Sequence, residues 1–410
     1  MLRHLIALTL LFFFAFSSSQ VSASNPAFRS FDTTMQNYMS KHGIPGGSVA
    51  VVKDGRLVYM SGYGWADVEK KQPVQPTSLF RIASISKPVT AVAVFTLLQN
   101  SGGRFSLDTP AFSLLPFSPA CGDADPRLKT ITVRQLLQHT AGWDKDETGI
   151  DPMFQSTEIA GALHVTPPAR QDSIIRYVMG QPLQFDPGSK YSYSNFGYCV
   201  LGRVIEKISG QSYEQYVKEH VLAPMGITRM KLGRSLLKDQ ADGEVRYYTD
   251  SEDQYSTVFP GYPTALQPYG SFCIEAMDSH GGWLASAVDL ARFAAALDDS
   301  KSSKLLMPDS RKAMYARPPA PAWVEDGKPS DYYYGCGWLV RPVGSRANYW
   351  HLGCLPGTYT ILVRRSDGLT WVALFNGCSL ANLDGYAEID LALHQAAAQV
   401  TEWPSGDLFR

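Results

Sequence analysis

The stretch that decides the fold is FRIASISKP, residues 80–88, which places Ser84 three positions before Lys87. Small and apolar residues follow it, so we predict that it opens a helix over residues 84–99. Residues three apart share one helix face, and the first turn adds free N–H groups and a positive dipole. Desolvation there lowers a lysine pKa, so Lys87 can take the proton of Ser84 and make it a nucleophile.

Ser-x-x-Lys alone is weak evidence, because chance supplies roughly one or two copies in a chain of this length. A second copy begins at Ser235 and ends at Lys238, in a charged segment that resembles protein surface and has no partner motif. The assignment of Ser84 therefore depends on other groups that would complete a site around it.

The second motif is YSN, residues 193–195, the one Tyr-x-Asn of the chain, placed where a loop is predicted to enter a helix. The phenol of Tyr193 near a lysine can relay protons, and the amide of Asn195 can bond both a lysine and a substrate carbonyl. Considered alone, this motif is better explained as an aromatic turn packed on the core.

The third motif is HLG, residues 351–353, near the end of a predicted strand. A glycine after the basic residue lets a substrate approach the backbone closely. His280 begins a second His-x-Gly, but it lies in a loop before a helix, so we rank it below His351. A lone histidine is more often structural than catalytic, so this motif too needs the other two.

The three motifs together, in this order, resemble the penicillin-binding and serine β-lactamase superfamily, and most closely its class C β-lactamase-like branch. That branch holds D,D-carboxypeptidases, D-aminopeptidases, esterases and related hydrolases. The resemblance spans about residues 27 to 400. Further matching stretches are ITVRQLLQHTAG (131–142), PMG (224–226), GGWLAS (281–286), DLARF (289–293) and YGCGW (334–338).

The resemblance implies a mechanism for the first two motifs. Ser84 would be the nucleophile that becomes acylated. Lys87 and Tyr193 would carry its proton to the leaving group and later take a proton from water. Asn195 would orient Lys87 and the substrate amide.

The resemblance also implies roles for the third motif. His351 would contact the carboxylate side of the substrate or assist proton transfer. Next to Gly353, the backbone N–H of Cys354 would form the oxyanion hole together with that of Ser84. True β-lactamases of this branch carry Lys-Thr-Gly at this motif, and histidine is only partly charged near neutral pH. We therefore do not expect antibiotic resistance as the main role, although a penicillin would still acylate Ser84 slowly.

Strand patterns lie at both ends of the chain, and helical patterns lie between them. Predicted strands are a hairpin around Asp54-Gly55 (47–60), then 332–340, 347–352, 359–364 and 370–375; predicted helices are 27–42, 84–99, 131–139, 172–179, 195–209, 211–221 and 385–400. We predict an α/β fold of the α+β type, with one antiparallel sheet built from both chain ends, flanked by helices.

The predicted catalytic domain covers residues 24–400, and 401–410 form a C-terminal tail. Its sheet region comprises 27–83 and 281–400, and 84–280 form an inserted, mainly helical region. Residues 236–280 within that region have no clear period, and a loop of such length is usually a lid or a binding wall.

Residues 1–23 are predicted to be a signal peptide, cleaved after Ala23. A short basic start precedes an apolar run, Leu5 to Phe16, which is shorter than the roughly 20 residues that a membrane-spanning helix needs. The mature protein is therefore expected to be secreted or periplasmic, without stable membrane insertion.

The composition limits which partners and cofactors we expect. The 410 residues carry a net charge of −1 with 45% hydrophobic residues, an ordinary globular balance that gives no sign of a nucleic-acid partner. The six cysteines can form disulfides after export, or several can be simply buried thiols, and the sequence does not choose a pairing. Zinc-site spacing, nucleotide-binding glycine motifs and a Gly-x-Ser-x-Gly elbow do not occur, so no metal and no cofactor are predicted.

Two functions follow from these patterns. The first is an exported serine hydrolase that forms an acyl-enzyme at Ser84 and acts on an ester, a small peptide amide or a D-amino-acid derivative. The second is a secreted, non-enzymatic binding or extracellular-matrix protein that keeps the same fold. The intact catalytic motifs argue for the first, and the sequence does not give the oligomeric state.

Overall fold

The computed structural model describes residues 26–251, 253–298, 305–325 and 327–410. The predicted signal peptide over 1–23 lies outside these residues. None of the helices within the described ranges has the length and the apolar content that crossing a bilayer requires.

The main sheet joins the two ends of the chain, as predicted. In the described residues it has eight antiparallel strands in the order β11-β12-β13-β14-β15-β1-β2-β3, so the last strand, β15, pairs with the first, β1. The strands of the molecule are β1 (Gly46–Lys53), β2 (Arg56–Asp67), β3 (Gln72–Pro73), β4 (Phe80–Arg81), β5 (Lys231–Leu232), β6 (Gln254–Ser256), β7 (Thr264–Leu266), β8 (Trp283–Ala285), β9 (Val324–Glu325), β10 (Lys328–Pro329), β11 (Tyr333–Tyr334), β12 (Leu339–Val343), β13 (Arg346–Leu355), β14 (Thr358–Arg364) and β15 (Leu369–Phe375).

Helices cover both faces of this sheet. They are α1 (Arg29–Lys41), α2 (Ser86–Asn100), α3 (Val133–Leu137), α4 (Lys145–Thr148), α5 (Ser156–Ala162), α6 (Gln171–Val178), α7 (Asn195–Ser209), α8 (Tyr213–Val217), α9 (Ala287–Ala295), α10 (Pro308–Met314) and α11 (Leu383–Ala398). Alternate residues of β1 face two different hydrophobic cores. Val49 and Val51 pack with α1 and α11. Ala50 and Val52 belong to the larger core, with α2, α7 and α9. This period-2 alternation is expected of a strand covered on both faces. The predicted α+β class is confirmed.

A short second sheet and a 3-10 helix position Ser84. A second sheet, β4-β8-β5, holds the segment that leads into α2, and the Ile82 N–H donates to the Trp283 carbonyl oxygen across 3.0 Å. The predicted helix over 84–99 begins only at Ser86, because a 3-10 helix, Ala83–Ile85, precedes it. Ser84 therefore lies on a tight turn between a short strand and a long buried helix.

Two elements that were each predicted as one piece are divided in the structure. The single strand expected over 332–340 is two strands, β11 and β12, separated by a turn at Gly337. Gly337 has φ +82° and lies so close to α2 that a Cβ atom there would meet the Ala91 Cβ at 2.6 Å. The helix expected over 211–221 is α8 followed by a π-helix, Lys218–Leu222, so its α-helical part is shorter.

The segment predicted to be aperiodic, residues 236–280, has little regular structure beyond β6, β7 and two 3-10 helices, Leu237–Asp239 and Ile274–Ala276. Buried Arg81 holds it against β4, because its guanidinium donates to the carbonyl oxygens of Arg234 and Pro268 across 2.8 and 2.6 Å. The predicted tail, 401–410, also packs on the protein, since the Leu408 N–H donates to the Leu57 carbonyl oxygen across 2.8 Å.

Candidate active site

Ser84 is half-buried on a strained turn. Ala83, just before it, has φ +47°, a left-handed conformation that costs energy for any residue with a Cβ atom. Gly353 of β13 lies against this turn, where a Cβ atom would meet the Ile82 carbonyl oxygen at 2.3 Å. The glycine of the third motif therefore serves the approach of β13 to the segment that carries Ser84, whereas the sequence suggested an approach of substrate.

Lys87 lies one helical turn after Ser84 and is completely buried. Its Nζ atom donates hydrogen bonds to Ser84 Oγ at 3.1 Å, to Asn195 Oδ1 at 2.7 Å and to the His280 carbonyl oxygen at 2.9 Å. Burial lowers the pKa of Lys87 well below its ordinary value, although the Asp151 carboxylate acts in the opposite direction.

The three partners of Lys87 accommodate the ammonium and the neutral amine alike. Two of them, the Asn195 side-chain oxygen and the His280 backbone oxygen, can only accept hydrogen bonds. The third, the Ser84 hydroxyl, can also donate. A neutral Lys87 has two N–H bonds for the two acceptors and one lone pair for the Ser84 proton, so all three contacts persist when the lysine acts as a base.

Tyr193 covers the same Nζ atom of Lys87. Its ring centroid lies 4.7 Å from Lys87 Nζ, within cation–π range. Burial raises the pKa of Tyr193, and a hydrogen bond with the Ser84 side chain acts to lower it. The phenol therefore stays protonated at neutral pH and lies in contact with the Ser84 hydroxyl.

A buried histidine that the sequence did not single out supports Tyr193. The rings of His139 and Tyr193 lie 4.4 Å apart, and His139 Nδ1 accepts a hydrogen bond from the Ser194 N–H across 3.2 Å. Burial lowers the pKa of His139 well below its usual value. The signal was present in the QHTAG part of residues 131–142, which we used only as part of the family resemblance.

Asn195 is the first residue of α7, and its amide is fixed at both ends. Its Oδ1 atom accepts from Lys87, and its Nδ2 atom donates to Asp151 Oδ2 across 2.6 Å. Burial raises the pKa of Asp151. Nothing in the sequence pointed to Asp151, because it lies in an irregular stretch far ahead of the motif that it supports.

His351 lies on β13 with its ring buried. Its Nδ1 atom is 2.7 Å from the Leu352 carbonyl oxygen, which can only accept, so Nδ1 carries the hydrogen. Nε2 then accepts a hydrogen bond from the Tyr334 hydroxyl across 2.9 Å. Burial, followed by the charge of Lys87, lowers the pKa of His351 to about 3, so the ring is neutral at physiological pH.

The rings of His351 and Tyr193 are near each other, with centroids 6.4 Å apart. The structure therefore brings all three predicted motifs to one place beside Ser84. The Cys354 side chain packs with the core on the other face of the sheet, which is compatible with the prediction, since that concerned its backbone N–H alone. Only the backbone of Cys354 remains a candidate for the site. Among the described residues, no cluster of His, Cys, Asp and Glu side chains is suited to a metal ion.

The two competing motifs have other roles. Ser235 is fully buried, so the prediction of a surface position was wrong; its hydroxyl donates to Glu275 across 2.5 Å and accepts from the Ile274 N–H across 2.8 Å. The ammonium of Lys238 binds the Tyr262 hydroxyl instead of serine. His280 contributes its backbone oxygen to Lys87, which the sequence did not foresee.

A cavity of about 250 Å³ begins at Tyr193 and Asn195. Most of its other walls come from residues ahead of the second motif, and Phe196 directly follows that motif. They include Trp143, Lys145, Asp151, Gln155, Gln184 and Phe196. This is the size of a small side chain or acyl group, and its lining is both apolar and polar.

The fold is that of the penicillin-binding-protein and serine β-lactamase superfamily. A D-amino acid amidase from Ochrobactrum anthropi SV3 superposes with a TM-score of 0.69 at 21% identity, covering 91% of this chain and 98% of that one. An octameric penicillin-binding protein homologue from Pyrococcus abyssi gives a TM-score of 0.66 at 24% identity, covering 92% of this chain and 79% of that one.

The family model described as Beta-lactamase matches residues 31–395, so this chain belongs to the beta-lactamase family of serine hydrolases. Two curated relatives are similar in sequence. Protein flp of Staphylococcus aureus (strain MW2) is 31% identical over 219 residues, 53% of this chain but only 41% of flp's own length. A putative penicillin-binding protein, PbpX of Bacillus subtilis (strain 168), is 28% identical over 342 residues, 83% of this chain and 73% of that protein.

Proposed function

We propose that this protein is an exported serine hydrolase that forms an acyl-enzyme at Ser84. Its substrates would be esters, small peptide amides or D-amino-acid derivatives. The observation that carries the proposal is the set of three hydrogen bonds that holds the Nζ atom of buried Lys87 against the Ser84 hydroxyl. Burial also lowers the pKa of Lys87, which favours the neutral amine. A neutral, buried lysine next to a serine is an activated nucleophile–base pair.

Acylation proceeds by transfer of the Ser84 proton to Lys87 as Ser84 Oγ attacks the substrate carbonyl carbon. The backbone N–H groups of Ser84 and Cys354 stabilise the resulting oxyanion; loss of one such donor typically costs about 3 kcal/mol of transition-state stabilisation. Tyr193 donates its phenolic proton to the leaving group and regains one from Lys87. The leaving group departs protonated, and Lys87 is neutral again.

Deacylation repeats these steps with water. Lys87 acts as the base: Tyr193 passes its phenolic proton to Lys87 as it takes a proton from the water, whose oxygen attacks the acyl carbon. Tyr193 then gives that proton to Ser84 Oγ as the ester bond breaks and regains its own from Lys87, which is neutral again. Burial of both groups matters here, because proton transfer between them does not compete with solvent. Free acid leaves, and Ser84 recovers its hydroxyl.

His351 fits a positioning role in this scheme. Its two ring nitrogens are engaged by the Leu352 carbonyl and the Tyr334 hydroxyl, and the neutral ring offers no positive charge to a substrate carboxylate. A β-lactam, which carries such a carboxylate, loses that attraction. This supports aminopeptidase, amidase or esterase activity, whose substrates need no carboxylate, over efficient β-lactam turnover.

Similarity to the D-amino acid amidase of Ochrobactrum anthropi and to a D-stereospecific amidohydrolase from Streptomyces supports a D-amino-acid derivative as one substrate class. The cavity beside Asn195 would hold the side chain of the substrate's D-amino acid. Export is supported by the basic start and the short apolar run within residues 1–23.

Labelling with a fluorophosphonate or a fluorescent penicillin tests the nucleophile. We expect the wild type and the Ser235→Ala variant, which alters the second Ser-x-x-Lys, to label, and Ser84→Ala to remain unlabelled. Thermal unfolding of each variant shows whether it is folded. Equal labelling of folded Ser84→Ala and wild type would refute the nucleophile assignment.

A panel of p-nitrophenyl esters and D- and L-aminoacyl amides tests the substrate class. We expect turnover of at least one acyl class by the wild type and none by Ser84→Ala. A folded wild-type protein that neither labels nor turns over any member would instead favour a non-enzymatic binding or matrix role.

A further inference from the structure

Two cysteines far apart in the chain lie side by side behind the candidate site. Cys354 Sγ and Cys378 Sγ are 3.4 Å apart, and both are free thiols in this structure. Cys354 is the penultimate residue of β13, and Cys378 follows the end of β15. Both side chains contact the core between the main sheet and the helices α1 and α11.

The backbone already holds these two segments together. The Gly357 N–H, in the turn that follows β13, donates to the Cys378 carbonyl oxygen across 3.0 Å. The Cys378 N–H in turn donates to the Tyr248 carbonyl oxygen across 3.3 Å. A disulfide needs sulfurs about 2 Å apart, so the sulfurs must approach by little more than 1 Å. Side-chain rotation supplies such a movement without breaking the backbone contacts.

We propose that Cys354 and Cys378 form a disulfide in the exported protein, and that this bond holds the end of β13 in its catalytic position. The second half of the proposal rests on the function proposed above, in which the Cys354 N–H contributes to the oxyanion hole. The first half, the bond itself, does not depend on that function.

The bond would act on the site without entering it. Along β13 the side chains alternate, so His351 faces the site and Cys354 faces the opposite core. Gly353 between them packs on the Ser84 turn, and Leu355 contacts a small cluster that includes Ala83. A cross-link at Cys354 would therefore restrict a strand end that packs against the nucleophile turn.

Formation of the bond is a two-electron oxidation by thiol–disulfide exchange. The thiolate of one cysteine attacks a small-molecule disulfide such as oxidised glutathione and releases one reduced thiol. The second thiolate then displaces the other thiol, so two protons and two electrons leave the protein in all. The hydrogen bond with Cys378 and burial both raise the pKa of the Cys354 thiol, so we expect slow exchange that alkaline pH accelerates.

Peptide mapping tests the bond. The full-length protein is incubated with oxidised glutathione, its remaining thiols are alkylated, and it is digested for mass spectrometry. We expect a peptide that links Cys354 to Cys378, present in the wild type and in Cys121→Ser, which alters the exposed cysteine, and missing in Cys378→Ser. An alkylated Cys378 in oxidised wild type, or a link from Cys354 to a different cysteine, would overturn the proposal.

Activity and unfolding measurements test its effect. Oxidised wild type should unfold at a higher temperature than reduced wild type and should have a severalfold higher kcat/KM; Cys378→Ser should show neither difference. A mapped bond with equal kcat/KM in both redox states would overturn the catalytic half. Bond formation in Ser84→Ala would show that the bond does not depend on catalysis. If the bond forms but the wild type does not label at Ser84, the proposed function fails and the disulfide stands.

Discussion

The Asn195 amide donates a hydrogen bond from Nδ2 to the Asp151 carboxylate across 2.6 Å, which leaves its Oδ1 atom to accept from Lys87. A carboxylate can only accept, so Asp151 dictates which end of the amide faces the lysine. Because the carboxylate is buried near the ammonium, it also favours the charged form of Lys87. Asp151 thus affects both the orientation of Asn195 and the protonation state of the base.

The Asp151→Asn variant separates these two effects, because its side-chain oxygen can still accept the Asn195 hydrogen bond while its charge is gone. Lys87 must be neutral to act, so its pKa sets the acid limb of the pH profile of kcat/KM. Removing the carboxylate lowers the pKa of Lys87, and the acid limb should move to lower pH. Asp151→Ala, which loses the hydrogen bond as well, should show a lower plateau. An unmoved acid limb in Asp151→Asn would contradict the charge effect.

The hydrogen bond from Tyr334 to His351 predicts a different pattern. Tyr334→Phe leaves a buried ring nitrogen without a partner, which costs about 1–3 kcal/mol and loosens the ring beside Tyr193. We expect a fall in kcat/KM with a folded protein, measured by ester or amide turnover and by circular dichroism. The matched control is Tyr333→Phe. In the wild type the Tyr333 hydroxyl donates to the Tyr315 carbonyl oxygen, so its loss should matter little to turnover.

The low pKa of His351 predicts how its substitution affects the pH profile of kcat/KM. Since the pKa is about 3, the ring is already neutral throughout the range above about pH 5, and its titration does not produce an acid limb there. His351→Asn should therefore lower the rate without moving the acid limb. A limb that disappears in His351→Asn would show that His351, and not Lys87, is the titrating base.

Gly353 is predicted to tolerate no side chain. A Cβ atom there would lie 2.3 Å from both the Ile82 carbonyl oxygen and Thr360 Oγ1, so β13 or the Ser84 turn has to move. We expect Gly353→Ala to destabilise the protein by about 1–3 kcal/mol and to abolish labelling of Ser84. In the control, Gly161→Ala, the new methyl group meets nothing within 4 Å in helix α5, and a small gain in stability is expected. Chemical denaturation and labelling measure both.

Much of the fold could be predicted because local signals and the global arrangement agree. The Asp54-Gly55 pair between two β-rich runs indicated the hairpin of β1 and β2, and the structure places the turn there. The split at Gly337 could not be predicted, because it arises from the close approach of that glycine to α2, a contact between distant parts of the chain.

The candidate site divides in the same way. Lys87 could be proposed because its spacing from Ser84 reflects local helix geometry, and Asn195 because its short motif resembles that of a known superfamily. Their partners could not, because Asp151 and Tyr334 reach the site through tertiary packing. Asp151 has no local pattern that sets it apart, and Tyr334 opens the YGCGW stretch, which we used only as part of the family resemblance.

Arg81 offers the final prediction, because it connects the nucleophile segment to residues 236–280. Its guanidinium is buried beside Glu244, with 3.8 Å between Nε and Oε1, and stacks 4.4 Å from the Tyr247 ring centroid. Arg81→Met leaves the Glu244 carboxylate buried without its cation and removes donors from two carbonyl groups, which we expect to cost about 3–5 kcal/mol. Denaturant unfolding measures this cost.

A double variant shows whether the uncompensated charge or the lost hydrogen bonds cause the loss of stability in Arg81→Met. Glu244→Gln alone removes one charge, whereas Arg81→Met combined with Glu244→Gln removes both and leaves no buried ion. If the uncompensated carboxylate causes most of the damage, the double variant will be more stable than Arg81→Met alone, because burying a neutral amide costs far less than burying a charge. Equal stability of the two would assign the loss to the guanidinium's hydrogen bonds with the carbonyl oxygens of Arg234 and Pro268, which neither variant restores.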